Sequence, residues 1–351
     1  MRFILTAFLL RCIVATADAQ TQAPADAAST QTFHEAVIDF GNRFLSRFSD
    51  NLEMDPDLVR QIPPPEEWPA FWTRVEQALQ SDSPEQLAWL KPEAEQALTI
   101  LDRFPAGTPY ATWLRQRMDY VALADEVLRD VPNARPQLRF IPAIPTNTPP
   151  HRVSLVPPPL PLRSANANET VVAVGNVGKR IGDALLWKRR LGNRPPPTGA
   201  NMLMPRAKAV FREEGVPEEL AWIAEVESSV DPEARSPVGA VGMYQFMPAT
   251  AKRFGLKTFP VDDRKDPDKS ARAAAQYLKI LHGKFGSWPL AVAAYNAGEG
   301  TVSRAMDKNK TDTFDAIAHT LPVETRMYVP KVSAVVSLRE GHDLDTLPRP
   351  K

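Results

Sequence analysis

Ten prolines crowd the stretch between Pro132 and Pro161. Proline has no backbone N–H to donate and its ring fixes φ near about −65°. Neither a long helix nor a central strand can cross such a stretch. Residues 132–165 therefore read as a stiff, extended linker, or as a strap along a surface. Packed structure must form on either side of them.

On the N-terminal side, residues 32–131 read as a helical domain. Phe33, Val37, Phe40, Phe44 and Phe48 recur at helical spacing, and Val75, Leu79, Leu87, Leu90, Leu98 and Leu101 continue apolar stripes. Pro63-Pro64-Pro65 and Pro105-Ala106-Gly107 punctuate these segments, and Trp113 to Leu128 forms a further amphipathic helix. No catalytic constellation stands out here. Trp68, Trp72, Trp89 and Trp113 could stack on sugar rings, but core packing accounts for them more simply.

Ahead of this region the chain reads as a secretory signal over residues 1–19. Arg2 is the basic start, Phe3 to Leu10 the apolar stretch (interrupted soon after by Arg11), and Ala17-Asp18-Ala19 the cleavage pattern. Residues 20–31, rich in Ala, Thr, Gln and Asp, read as a disordered leader. Cys12, the single cysteine, follows Leu10-Arg11 and so does not fit a lipoprotein signal; it reads as incidental. Export to the periplasm or cell envelope is the expectation.

Beyond the linker, residues 166–345 form the second domain, with a well-marked core at 201–340. Residues 166–200 read as loops around one short helix. Arg206 to Glu214 is a helix stopped by Gly215, and Pro217 opens the next, with Glu218 and Glu219 in its first turn. Pro248 to Phe254 is closed by Gly255, and Asp266-Pro267 opens a longer helix striped by Ala274, Tyr277, Leu278 and Leu281. Pro289 to Ala297 follows, and Leu321 to Leu338 is expected to kink or divide at Pro330. No segment reads as a strand, so the fold class is all-α.

The 42 basic and 42 acidic residues cancel, which removes the electrostatic case for nucleic acid or an anionic membrane surface. The histidines, His34, His151, His282, His319 and His342, lack metal-ligand spacing. No metal and no cofactor are expected.

One residue breaks the helical pattern in an informative way. On the helix from Pro217, Leu220, Ile223 and Ala224 define the apolar stripe, and Glu227 is its next member. Glu225 sits about 160° from Glu227, at ~100° per residue, and reads as solvent-exposed. Burial of an ionised carboxylate is costly, so it raises the pKa and keeps the proton on. A proton held near neutral pH is what a general acid requires. The alternative is a buried glutamate satisfied by hydrogen bonds to a neighbouring loop. Asp231-Pro232 should end the helix, with Asp231 as a turn residue. Gly239 and Gly242 allow close backbone approach, and Met243-Tyr244-Gln245-Phe246-Met247 offers an amide and apolar faces that suit a sugar.

The run Glu227-Ser228, Asp231-Pro232, Ser236, Gly239-Ala240, Gly242, Gln245, Met247-Pro248, Thr250-Ala251 resembles the first two motifs of the soluble-type lytic transglycosylases, a lysozyme-like family. Ala294-Tyr295-Asn296-Ala297-Gly298 resembles the third, and Glu324-Thr325-Arg326 with Tyr328-Val329 the fourth. The wording around Gln245 and Pro330 is most similar to the membrane-bound D-type subgroup, whose usual C-terminal LysM repeats are not found up to Lys351. The resemblance covers roughly residues 200–340.

It implies a lysozyme-like helical catalytic domain acting on peptidoglycan glycan strands, with Glu227 as the single acid/base. It also implies substrate contacts or support from Ser228, Ser236, Gln245, Met247, Tyr295, Asn296 and Tyr328, while Glu324 with Arg326 forms a structural ion pair or a helix-start feature. The product would be a 1,6-anhydro-N-acetylmuramic acid end. A hydrolase of the same fold and a non-enzymatic wall-binding protein are the rivals. The N-terminal helices are a candidate surface for cell-envelope protein partners, a regulator of access, or a spacer.

Overall fold

The computed structural model describes residues 67–103, 107–129 and 182–351. The expected signal, the leader, the helices before residue 67 and the proline-rich linker lie outside the described residues.

The described chain is helical. Four helices come first: α1 (Glu67–Gln80), α2 (Pro84–Trp89), α3 (Lys91–Leu101) and α4 (Thr108–Arg129). Then follow α5 (Ala184–Leu191), α6 (Ala200–Glu213), a 3₁₀ turn at Glu218–Trp222, and α7 (Ile223–Ser228). After a long corner come α8 (Pro248–Arg253), α9 (Pro267–Phe285) and α10 (Trp288–Ala297). α11 (Glu299–Asn309), α12 (Phe314–Ile317) and α13 (Val323–Glu340) complete the order. Among the described residues the only extended pairings are two isolated bridges in the corner, Arg235 with Val241 and Val241 with Phe246.

Local chemistry explains several boundaries. The Asp266 carboxylate accepts from the N–H groups of Asp268 and Lys269, and Pro267 occupies the first turn of α9. Gly215 follows α6 with φ of 73°, the left-handed conformation that glycine adopts most easily. Two expectations change. The helix expected from Arg206 begins at Ala200 and runs through Pro205. The helix expected to divide at Pro330 is continuous from Val323 to Glu340. Pro330 is buried there between well-packed turns, so tertiary packing outweighs the one missing backbone hydrogen bond.

The described part of residues 32–131 shares one hydrophobic cluster with the C-terminal helices, running from Trp68 to Leu347. α13 packs on α1, α5, α7 and α10, and α4 packs on α7 as well as on α2 and α3. A buried ion pair joins the two parts: Lys331 Nζ of α13 lies 2.9 Å from Asp119 Oδ2 of α4. Lys331 also donates to the Gln116 carbonyl at 3.1 Å and sits 4.6 Å from the Tyr120 ring centroid. α7 thus lies at the centre of the molecule, with α4 on one side and α13 on another.

Candidate active site

α7 is too short to have an exposed face. All six of its residues are buried. Glu225 was expected to face solvent; it is 7% exposed and forked by Arg339, whose Nη2 and Nε donate at 2.7 and 2.9 Å. Periodicity chose the right face for Glu227 but assumed that the opposite face was wet. α13, which carries Arg339, covers it.

Glu227 is 5% exposed and lines a cleft of about 680 Å³. Tyr328 Oη donates to its Oε1 at 2.6 Å. Arg117 Nη2 lies 3.6 Å from its Oε2, and Arg117 Nη1 donates to its backbone carbonyl at 3.1 Å. Burial raises the Glu227 pKa; Arg117 and the Tyr328 hydrogen bond pull it down, and Glu324 pushes it up again. Burial wins, so the carboxyl holds its proton above the usual carboxylate range.

The corner after α7 is built by backbone geometry. Ser229 ends the helix in the left-handed region with φ of 55°, and Val230 follows at 61°. Gly242 has φ of 87°, and a Cβ placed on it would lie 1.9 Å from the Arg264 carbonyl oxygen. Only glycine fits that close approach. It brings Gln245 to the cleft wall, with its Nε2 donating to the Gly242 carbonyl at 2.9 Å and its Oε1 buried without a protein donor.

Met247, Tyr295 and Asn296 also line the cleft with Glu227 and Gln245. Met247 is 39% exposed, an apolar surface offered to whatever enters. Tyr295 Oη donates to the Tyr244 carbonyl at 2.8 Å, and Asn296 Oδ1 accepts from Thr325 Oγ1 at 2.7 Å. Tyr328 is fully buried and acts from beneath the cleft. The structure does not bring Ser228 or Ser236 to the cleft lining. The Ser228 hydroxyl donates to the Met243 carbonyl at 2.9 Å, and Ser236 Oγ accepts from Ala240 N–H at 2.8 Å. Both hydroxyls hold the corner rather than reaching outward. Asp231 caps its own turn by accepting from Glu233 N–H and borders a different cavity, behind α7.

Two expectations about charge also change. Glu324 does not pair with Arg326, whose Nη1 donates to the Asp82 carbonyl. It faces Arg117 instead, with Nε 3.4 Å from Glu324 Oε1. The N-terminal helices, read as lacking catalytic residues, supply one wall of the cleft: Thr73, Glu76, Gln77 and Gln80 from α1, Trp113 and Arg117 from α4. The Arg117 guanidinium rests 4.7 Å from the Trp113 ring centroid. Glu76, partly buried beside Glu324, is pushed up to about 7 by burial and by that like charge. One signal could have found Arg117. It falls on the apolar stripe Trp113-Leu114, Tyr120-Val121 at helical spacing, as Glu227 does on its own helix.

Residues 205–317 match the family model described as Transglycosylase SLT domain. This segment is similar to that domain. Membrane-bound lytic murein transglycosylase D of Escherichia coli K12 is 41% identical over 128 residues, which are 35% of this chain and 28% of that protein. Soluble lytic murein transglycosylase of Salmonella typhimurium is 38% identical over 122 residues, 32% of this chain and 19% of that protein. The chain thus spans less than a third of either relative's length. Among solved structures, an inactive mutant of lytic transglycosylase Slt from Pseudomonas aeruginosa aligns over 96% of this chain and 67% of that one, at 18% identity and a TM-score of 0.38.

Proposed function

We propose that this chain is a peptidoglycan lytic transglycosylase in which Glu227 is the only acid/base. The observation that carries the reading is a buried carboxyl, its pKa raised by that burial, at a cleft in a segment similar to this family's domain. The reaction it supports begins with proton transfer from Glu227 to the oxygen linking N-acetylmuramic acid to N-acetylglucosamine. The 2-acetamido group of the muramoyl sugar assists at the anomeric carbon. Glu227, now anionic, takes the proton of that sugar's C6 hydroxyl, which closes a 1,6-anhydro ring without water. Tyr328 steadies the carboxylate between the two transfers. Gln245 stands on the cleft wall with an amide oxygen that no protein donor satisfies, and Met247 and Tyr295 offer apolar surface to ring faces.

Glu76 favours a second reading. It is a titrating carboxyl on the same cleft, and a hydrolase would use such a group as a base to activate water. Mass spectrometry of peptidoglycan digested by the full-length protein separates the two. Muropeptides ending in 1,6-anhydro-N-acetylmuramic acid, absent with Glu227→Gln, are expected. Reducing-end sugars that disappear with Glu76→Gln would establish the hydrolase, and soluble fragments of neither kind would remove both. Export through residues 1–19 belongs to the same proposal; among the described residues no helix is long and apolar enough to cross a membrane.

A further inference from the structure

We propose that Arg117, on a helix outside the matched domain, is the positioning residue of Glu227, and that Glu324 and Glu76 on its other side limit how strongly it binds that carboxylate. The inference rests on the acid/base reading above.

The geometry places one guanidinium between two acids, and a third, Glu76, lines the same cleft. Arg117 reaches the Glu227 carbonyl at 3.1 Å, Glu227 Oε2 at 3.6 Å and Glu324 Oε1 at 3.4 Å, with its side chain 9% exposed. The carbonyl contact matters because the last carbonyls of a helix have no partner within it. Arg117 fills one at the end of α7, and the Gln116 amide beside it donates to Ser229 Oγ. Together they fix the backbone that carries the carboxyl. The trade-off concerns charge. An arginine committed wholly to Glu227 would hold it ionised and empty the acid of its proton. Here the positive charge is shared. Every element packed around Glu227 contributes a titratable group: Arg117 and Tyr120 from α4, Glu324 and Tyr328 from α13, Tyr295 from α10, with Glu76 of α1 facing Glu324 and Arg117. After proton transfer the arginine is already in place to steady the new anion, with no reorganisation needed at that moment.

The test measures two quantities on the full-length protein across about pH 4 to about pH 9. One is the rate of sacculus solubilisation. The other is the Glu227 carboxyl titration by ¹³C NMR on glutamate-labelled protein, assigned with Glu227→Gln. A general acid works only while protonated, so the rate falls as pH rises past its pKa. Arg117→Gln removes the lowering charge. Its falling limb and titration should move to higher pH, and its best rate should drop on the order of 10-fold to 100-fold through lost positioning. Arg117→Lys should recover part of both. Glu324→Gln should move the limb and titration to lower pH, and Glu76→Gln should move them in the same direction by less. A limb and titration that stay at the wild-type pH in Glu324→Gln and Glu76→Gln overturn the proposal, even if Arg117→Gln fails to fold. Wild-type protein without activity but with these titration shifts sinks the functional reading and leaves the positioning intact.

Discussion

The two sides of helix α7 bury similar numbers of charges and treat them differently. Behind the helix, Glu225 is forked by Arg339 at 2.7 and 2.9 Å, and Asp119 is held by Arg194 and Lys331, each at 2.9 Å. On the cleft side, Arg117 stands 3.4 and 3.6 Å from two carboxylates, and its charge also lowers the pKa of a third, Glu76. The rear charges are matched in close, bidentate or multiply bonded geometry, which is what lets buried ions persist. The cleft charges are under-matched, and burial raises the pKa of Glu227 and of Glu76. Similar burial thus yields a structural joint on one side and acids of raised pKa on the other, and the number and distance of the partners decide which.

That contrast can be broken most sharply at Glu227. Glu227→Gln should lower the peptidoglycan-solubilising rate on the order of 10³-fold. It should leave thermal stability at neutral pH unchanged or higher, because it removes an under-compensated acid. A large loss of stability in a melting experiment would mean that Glu227 belongs with the rear charges.

Lys331→Met tests the other side. It leaves Asp119 buried with Arg194 alone and should destabilise the fold by about 3 kcal/mol, read from urea unfolding. Protein that remains folded in the cold should keep its pH–rate profile. A shifted profile would show that the two sides are not separate.

The smallest effect expected is at Glu76. Its folded pKa of about 7 lies above its ordinary value of 4.5, so the native state binds the extra proton. Stability therefore falls as pH rises through that window. Glu76→Gln should match wild type below about pH 4 and become more stable by roughly 1 kcal/mol near pH 8, since partial exposure screens much of the penalty. Parallel stability curves across the window would deny Glu76 its raised pKa.

Much of the site was legible because its signals are local. Glu227 announces itself as a carboxyl on an apolar helical stripe, Gly242 as a point of close approach, and Asp266-Pro267 as a helix start. For Ser228 and Ser236 the motif leaves contact and support both open, because motif position does not say whether a hydroxyl faces a cleft or its own backbone, and both hydroxyls bond within the corner. Glu225 was misread because hydrophobic period reports one face and cannot see what covers the other. Of the two expectations for Glu324, the helix start holds, since it stands in the first turn of α13, but the pair with Arg326 does not form: residues two apart on a helix do not face each other, and Arg117 lies beside Glu324 instead.

The amino-acid sequence alone determined the helical class, the helix boundaries set by proline, glycine and capping aspartate, and the identity of Glu227 as the residue to watch. Each depends on dihedral preference or on periodicity within a few turns. Tertiary structure alone decided that α1 and α4 wall the cleft, and that Arg117, 110 residues from Glu227 in the chain, caps its helix. The same is true of the two acids that share one guanidinium and of the third, Glu76, on the same cleft. These follow from how helices far apart in sequence close around one core, and from the low polarisability of that core, which makes every uncancelled charge felt by its neighbours.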